Sequence, residues 1–360
     1  MKKLLCVALS VMLLLSSCKG GNIPDNEETS SAGEEIVSSS PIEESVPTEE
    51  SEIIEESEPL EESSSEAQKE ESSSAIQKEE KELVLSVTDR KKYDDNLKKT
   101  GTYTGKEKLE KLTLNVPDPE NSKGLSETSS GYSFGVAKDG KAHNTSLNHQ
   151  SRYEKNGYNA LTVDTKTKEK VLYLTFDCGY EVGYTSTILD ILKEKEVPAA
   201  FFCTLSHIKK NPELIARSIE EGHIIANHSV NHLSMPSISR EEMAEEILGV
   251  ENYLREYFGY SSPYFRFPTG AYSDSSLDLV TGIGFRSVFW SVAYKDYDTK
   301  AQPGKNVAFE TVTSRLHPGA VILLHNVSSS NTEALSDIID YAKDNGYTFK
   351  SLDDYSGWIK

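Results

Sequence analysis

From about Thr162 onward the chain alternates between short apolar runs and longer amphipathic stretches. Val, Ile, Leu, Phe and Tyr concentrate at 171–176, 199–204, 223–227, 264–267, 287–293, 320–324 and 347–350, lengths that suit strands rather than helices. Between them lie helix-like segments with readable starts. Asn211-Pro212-Glu213-Leu214 sets a capping residue before a proline in the first turn. Ser239-Arg240-Glu241-Glu242 has the spacing of a capping box and opens a periodic segment that stops at Gly259. Asn331-Thr332-Glu333-Ala334 starts another, ending near Asn345-Gly346. Strands alternating with helices predict parallel strands covered by helices, in an α/β barrel or a doubly wound sheet. About 200 residues suffice for one such core. Functional groups in these folds gather at the C-terminal ends of strands.

Upstream the pattern fades. Residues 83–160 read as a loop-rich arm: 106–112 could be helical, while Pro117, Pro119 and a Gly/Ser/Asn-rich stretch through Asn148 point to irregular chain. From 22 to 82 the chain is Glu/Ser-rich with 21 acids against 3 lysines, so this stretch carries −18 of the chain's net −20. Such composition buries too little apolar surface to offset ordering entropy and predicts a disordered, self-repelling tether. A flexible chain of this length reaches on the order of 40 Å. The acidity therefore describes the tether and not the substrate. At the N-terminus, Lys2 and Lys3 precede an apolar stretch from Leu4 to Leu15 that is short for a membrane span and reads as a targeting signal.

The chemistry falls where the strands end. Asp177-Cys178-Gly179 follows the run at 171–176, and His228 and His232 follow the run at 223–227. A carboxylate, a thiol and two imidazoles in those places could make a metal site with its own general base. The i, i+4 spacing puts both imidazoles on one side if a helical turn follows the strand. Arg266 in Phe265-Arg266-Phe267-Pro268-Thr269-Gly270 offers a permanent cation to hold Asp177 ionised, and a backbone N–H of that turn could donate to an oxyanion. His325, ending Val321-Ile322-Leu323-Leu324-His325, is placed to act as general acid for a leaving amine. No phosphate-cradling glycine loop and no basic, aromatic-rich face suggests nucleotide or nucleic acid as a partner.

In their order these motifs resemble the polysaccharide deacetylase (NodB homology) domain, carbohydrate esterase family 4. Thr-Phe-Asp-Cys-Gly, His-Ser-x-x-His, Arg-Phe-Pro-Thr-Gly, Trp290-Ser-Val-Ala-Tyr-Lys-Asp-Tyr297 and Leu-Leu-His match in succession. Within the family, Asp177-Cys178-Gly179-Tyr180-Glu181-x-Gly183-Tyr184-Thr185, Phe289-Trp290-Ser291-x-Ala293 and His317-Pro318-Gly319-Ala320 look like the PdaA-like, δ-lactam-biosynthetic muramic acid deacetylase branch. The resemblance covers roughly 131 to 355 and implies a distorted (β/α) barrel over 161–360. It also implies Asp177 as general base, His228 and His232 as metal ligands and Arg266 as the group that tunes Asp177. His325 would be the general acid and the Thr269 N–H the oxyanion donor.

Cys178 stands where most members carry a second metal-binding aspartate. As thiolate it would complete a Cys-His-His set favouring zinc, and the alternatives are a non-ligating thiol or a disulfide with Cys203. Ala293 replaces an aspartate that in most relatives pairs with the motif's arginine, and Asp296 is expected to serve instead. Phe267 and Thr269 stand where the branch tends to have proline and arginine.

Leu15-Ser16-Ser17-Cys18 resembles a bacterial lipobox, implying cleavage after residue 17 and a lipid on Cys18. The expected organisation is a lipoprotein signal at 1–17, a tether at 18–82, the arm at 83–160 and the deacetylase domain at 161–360. The expected function is metal-dependent removal of N-acetyl groups from N-acetylmuramic acid of peptidoglycan lacking its stem peptide, toward muramic δ-lactam in the spore cortex. The alternatives are an N-acetylglucosamine or chito-oligosaccharide deacetylase and a non-catalytic glycan-binding lipoprotein. The protein is expected to act as a monomer held at the outer face of the membrane.

Overall fold

The computed structural model describes residues 101–360. The signal at 1–17, the lipidation site Cys18, the tether and the first part of the arm lie outside the described residues.

All seven strand runs predicted from the pattern are present. Strands β1 (Ser130–Gly131), β2 (Ala160–Leu161), β3 (Val171–Cys178), β4 (Ala199–Cys203), β5 (Ile224–Asn227), β6 (Tyr264–Phe265), β7 (Ala271–Tyr272), β8 (Arg286–Val288), β9 (Ala320–His325) and β10 (Thr348–Phe349) alternate with helices. These are α1 (Asn144–Asn156), α2 (Thr185–Glu194), α3 (Leu205–Lys210), α4 (Pro212–Glu220), α5 (Arg240–Phe258), α6 (Asp274–Gly282), α7 (Lys305–Thr313) and α8 (Ser329–Asp344). One sheet runs β10-β3-β4-β5-β6-β8-β2, with β9 also on β3, and every pair in it is parallel. Bridges from Val292 to Ile322 and from Val163 to Ala320 tie the far edge back to β9, so the sheet curls into a distorted barrel.

Strand alternation divides the core into two layers. Leu172, Leu174, Phe176 and Cys178 of β3 pack with α2, α7 and α8 on one face. Val171 and Tyr173 turn the other way, toward Phe202, Phe265 and Phe289. A strand buried along its whole length, as β3 is, belongs in the middle of a parallel sheet covered on both faces.

The helix starts follow local chemistry. Ser239 and Glu242 form the reciprocal capping box of α5, and Gly259 ends that helix at φ 56°. A Cβ at Gly259 would lie 2.2 Å from the Glu107 carbonyl oxygen, so close approach of the arm also requires glycine there. Pro212 sits in the first turn of α4, although the Asn211 side chain makes no cap bond. The last helix begins earlier than the pattern suggests, because Ser328 accepts the Asn331 N–H and caps it.

The expected helix at 106–112 is absent. This segment runs without regular structure along α5, where Leu109 N donates to the Arg255 carbonyl and Asn252 both donates to and accepts from the Leu112 backbone. Tertiary hydrogen bonding overrides a weak local propensity. The short strands β1 and β2 and helix α1 went unpredicted in a stretch lacking clear periodicity, and the two-residue β7 is too short to show a period of its own.

Candidate active site

Register does most of the positioning. Asp177, at the end of β3, pairs directly with His325, at the end of β9. On the other side β3, β4 and β5 align Cys178 with Cys203 and Cys203 with Asn227, which brings the loop after β5 to the same rim. Asp177, His228, His232, Thr269 and His325 line one cavity of about 1270 Å³.

Arg266 is fully buried and is not the surface residue a plain turn would present. Its Nη1 donates to Asp177 Oδ1 at 2.6 Å, Nη2 to Thr175 Oγ1 at 2.9 Å and Nε to the Val288 carbonyl at 2.8 Å. The guanidinium lies 4.0 Å from the centroid of Phe202. Thr175 in turn donates to the Ile322 carbonyl at 2.7 Å, so the guanidinium is held at every edge. Burial pushes the Asp177 carboxyl upward, but Arg266, His228 and His325 outweigh it and hold the group below the ordinary carboxylate value. Thr175 was not singled out from the sequence. Its signal was the strand period, which puts residue i−2 on the face of Asp177.

His228 and His232 are brought together by a loop, not by the helical turn that the i, i+4 spacing suggested. Ser229 and His232 adopt φ 68° and 57°, and Ser229 Oγ accepts the His232 N–H. The loop is pinned to α5: Val230 N donates to the Glu246 carbonyl, and the Glu246 carboxylate accepts from the Asn231 backbone and side chain at 2.7 and 2.6 Å. Gly249 makes room for this contact, since a Cβ there would meet Val230 Cγ2 at 2.5 Å. The two imidazoles stand 4.8 Å apart between centroids, at 76°. His228 Nδ1 lies 2.9 Å from the Arg266 carbonyl, which fixes the proton on Nδ1 and leaves Nε2 as a lone pair, 3.7 Å from Asp177 Oδ2. Burial lowers His228 to about 4 and lowers His232 as well, so both rings are neutral at neutral pH. Neutral imidazoles, one oriented by a carbonyl behind it, fit a divalent cation.

Cys178 does not join them. Alternation sends it to the opposite face of β3 from Asp177, into the apolar layer under α2. There its sulfur, the Cys203 sulfur and a ring nitrogen of His207 lie within 4.8 Å of one another, and both cysteines are free thiols. The Cys-His-His ligand set is therefore corrected to the two histidines, with Asp177 beside them.

The expectation for Asp296 is corrected too. It does not reach Arg266: Oδ1 lies 2.7 Å from His325 Nδ1, and Oδ2 accepts the His325 backbone N–H at 2.8 Å and a bond from Asn331 Nδ2. Burial alone would lower His325, but the Asp296 carboxylate, with a smaller contribution from Asp177, raises it. Asn331, which donates to this aspartate, and Tyr294, whose hydroxyl donates to Asn331 Oδ1, went unrecognised as its support. Thr269 lines the cavity at φ 55°, ψ 4°, an uncommon backbone for a β-branched residue.

A family profile described as polysaccharide deacetylase matches residues 164–288. The chain is 43% identical over 189 residues to the peptidoglycan-N-acetylmuramic acid deacetylase PdaA of Bacillus subtilis, spanning 52% of this chain and 72% of that protein. It is 32% identical over 195 residues to a chitooligosaccharide deacetylase of Sinorhizobium fredii, covering 50% of this chain and 89% of the other. The solved structure of Bacillus subtilis PdaA, a family 4 carbohydrate esterase, superposes with a TM-score of 0.60 at 38% identity, over 64% of this chain and 98% of that one.

Proposed function

Because this chain belongs to the polysaccharide deacetylases of carbohydrate esterase family 4, we propose that it hydrolyses the N-acetyl groups of N-acetylmuramic acid in peptidoglycan, using Asp177 as base and His325 as acid. The observation that carries the mechanism is the pairing of Asp177 with His325 across adjacent strand ends, each tuned by a separate buried partner.

His228 and His232 would hold a divalent cation, most consistent with zinc, through neutral ring nitrogens. Bound there, it would supply Lewis-acid polarisation of the acetamide carbonyl and of a water. Asp177 offers Oδ2 to accept the proton of the attacking water, since Oδ1 is committed to Arg266. Arg266 keeps that carboxyl ionised. The left-handed turn at Thr269 presents a backbone N–H as donor to the developing oxyanion, a reading that gives its strained φ a purpose. His325, with Nδ1 held by Asp296, carries its second proton on Nε2 and delivers it to the departing amine. Acetate and a free amino sugar result.

The muramic assignment, on the way to muramic δ-lactam, draws on the 43% identical relative, and the chitooligosaccharide relative supports the broader alternative. Peptide-stripped glycan strands and chito-oligomers, assayed side by side for acetate, separate the two. Faster release from chito-oligomers would overturn the muramic reading. A lipid on Cys18 and the acidic tether at 18–82 complete the proposal, placing the domain against the wall from the membrane's outer face.

A further inference from the structure

We propose that Cys178, Cys203 and His207 form a second metal site that takes one thiophilic divalent cation, Zn(II), in the layer behind the cavity. This site stands independently of the catalytic reading.

The three residues converge from three elements. Cys178 ends β3 and Cys203 ends β4, side by side in parallel register and turned to the same face. His207 lies on α3, one turn after Thr204, whose hydroxyl accepts the His207 backbone N–H. All three are at most 1% exposed. The two sulfurs and a ring nitrogen of His207 lie within 4.8 Å of one another, the only such group of three among the described residues. The His207 ring is buried, and its Nδ1 has no hydrogen-bond partner. A buried ring nitrogen left unpaired is destabilising, and a cation bound there would satisfy it.

The donor set selects the ion. Two thiolates and an imidazole, with no carboxylate among them, suit a soft or borderline cation and not magnesium or calcium. Binding replaces the two thiol protons, which leave to solvent, by one Zn(II). Two thiolate charges and the cation's two cancel, so the apolar layer receives a neutral unit with no redox change. The centre would also brace the active site from behind. The Cys178 carbonyl accepts the Thr204 N–H at 3.2 Å, and the Cys203 carbonyl accepts the His228 N–H at 3.0 Å.

The test loads the reduced, metal-free full chain with Co(II) or Zn(II). Thiolate-to-cobalt charge transfer reports sulfur ligation and is silent for a site built from His228 and His232 alone. The expected result is a charge-transfer band in wild type and in His228→Ala/His232→Ala, lost in both Cys178→Ser and Cys203→Ser. In the same histidine variant, zinc should raise Tm and protect Cys178 and Cys203 from alkylation, as mapped on their peptides. That measurement needs no substitution at Cys178, Cys203 or His207 to fold. A wild-type protein without the band overturns the proposal. So does a band that survives Cys203→Ser but not Cys178→Ser, which would return Cys178 to the catalytic pair. A Cys178–Cys203 disulfide that persists under the reducing conditions and excludes metal also overturns it.

Discussion

Replacing Asp296 by asparagine isolates the acid half of the proposed chemistry. The aspartate is 1% exposed and gives three acceptor contacts on two oxygens: His325 Nδ1 on one, the His325 N–H and Asn331 Nδ2 on the other. Asparagine keeps the shape but has one oxygen, so its NH₂ must face a donor or accept a change in His325. If the oxygen serves the two donors, the NH₂ faces Nδ1 and opposes the doubly protonated ring. If it serves Nδ1, a neutral bond replaces a charged one. Hydrogen bonds to charged groups contribute about 1.5–3 kcal/mol against about 0.5–1.5 for neutral ones. The loss, ~1–2 kcal/mol, moves a titration by about one pH unit. The sign follows from the role. His325 must be protonated to act, Asp296 raises its proton affinity, and so activity persists to higher pH in wild type and falls earlier in the variant. The assay is kcat/KM for acetate release across pH, which reports the free enzyme's acid and base. The alkaline limb should move down by about one unit while the acid limb stays. A uniform drop with neither limb displaced would refute the assignment of His325 as acid, and a denaturation curve establishes that the variant is folded.

Arg266→Met leaves Asp177 buried without its cation. Stability should fall by about 3–5 kcal/mol in urea denaturation, and the acid limb of the same profile should move to higher pH. Chelation should abolish acetate release while leaving far-UV circular dichroism intact, with recovery on adding a divalent metal, and His228→Ala should block recovery. Gly249→Ala pushes Val230 and the histidine loop off α5. Overpacking of about 1–3 kcal/mol is expected from denaturation, together with weaker metal binding measured by titration.

Much of this architecture was readable from alternation. The runs around β3, β4 and β5 are fully buried strands and β9 is buried up to His325, and strands of that kind show as continuous apolar stretches bounded by polar residues. The capping box at Ser239 carried its own signature. What escaped was non-local. The segment at 106–112 takes its shape from Asn252 and Arg255, far along the chain, and nothing in its own composition announces that. In the site, Asp177, Arg266, His228, His232 and His325 were legible as chemical residue types at strand ends. Their partners were not. Asp296 could have been assigned to either cation from sequence, and only the fold directs it to His325. Cys178 failed for a geometric reason: it is one residue past Asp177 on a strand that stays regular to its end, so it faces the other way.

The central claim is that Asp177 and His325 together hydrolyse an N-acetyl group on a cell-wall glycan. The most direct measurement is acetate released from peptide-stripped peptidoglycan strands by metal-loaded wild type, Asp177→Asn and His325→Ala under identical conditions. Wild type should release acetate and generate free amino sugar in equal amounts. Each variant should be slower by about 10²–10⁴-fold, the usual contribution of a positioned acid or base. Acetate release by Asp177→Asn at the wild-type rate, or none by wild type on any glycan, would contradict the account.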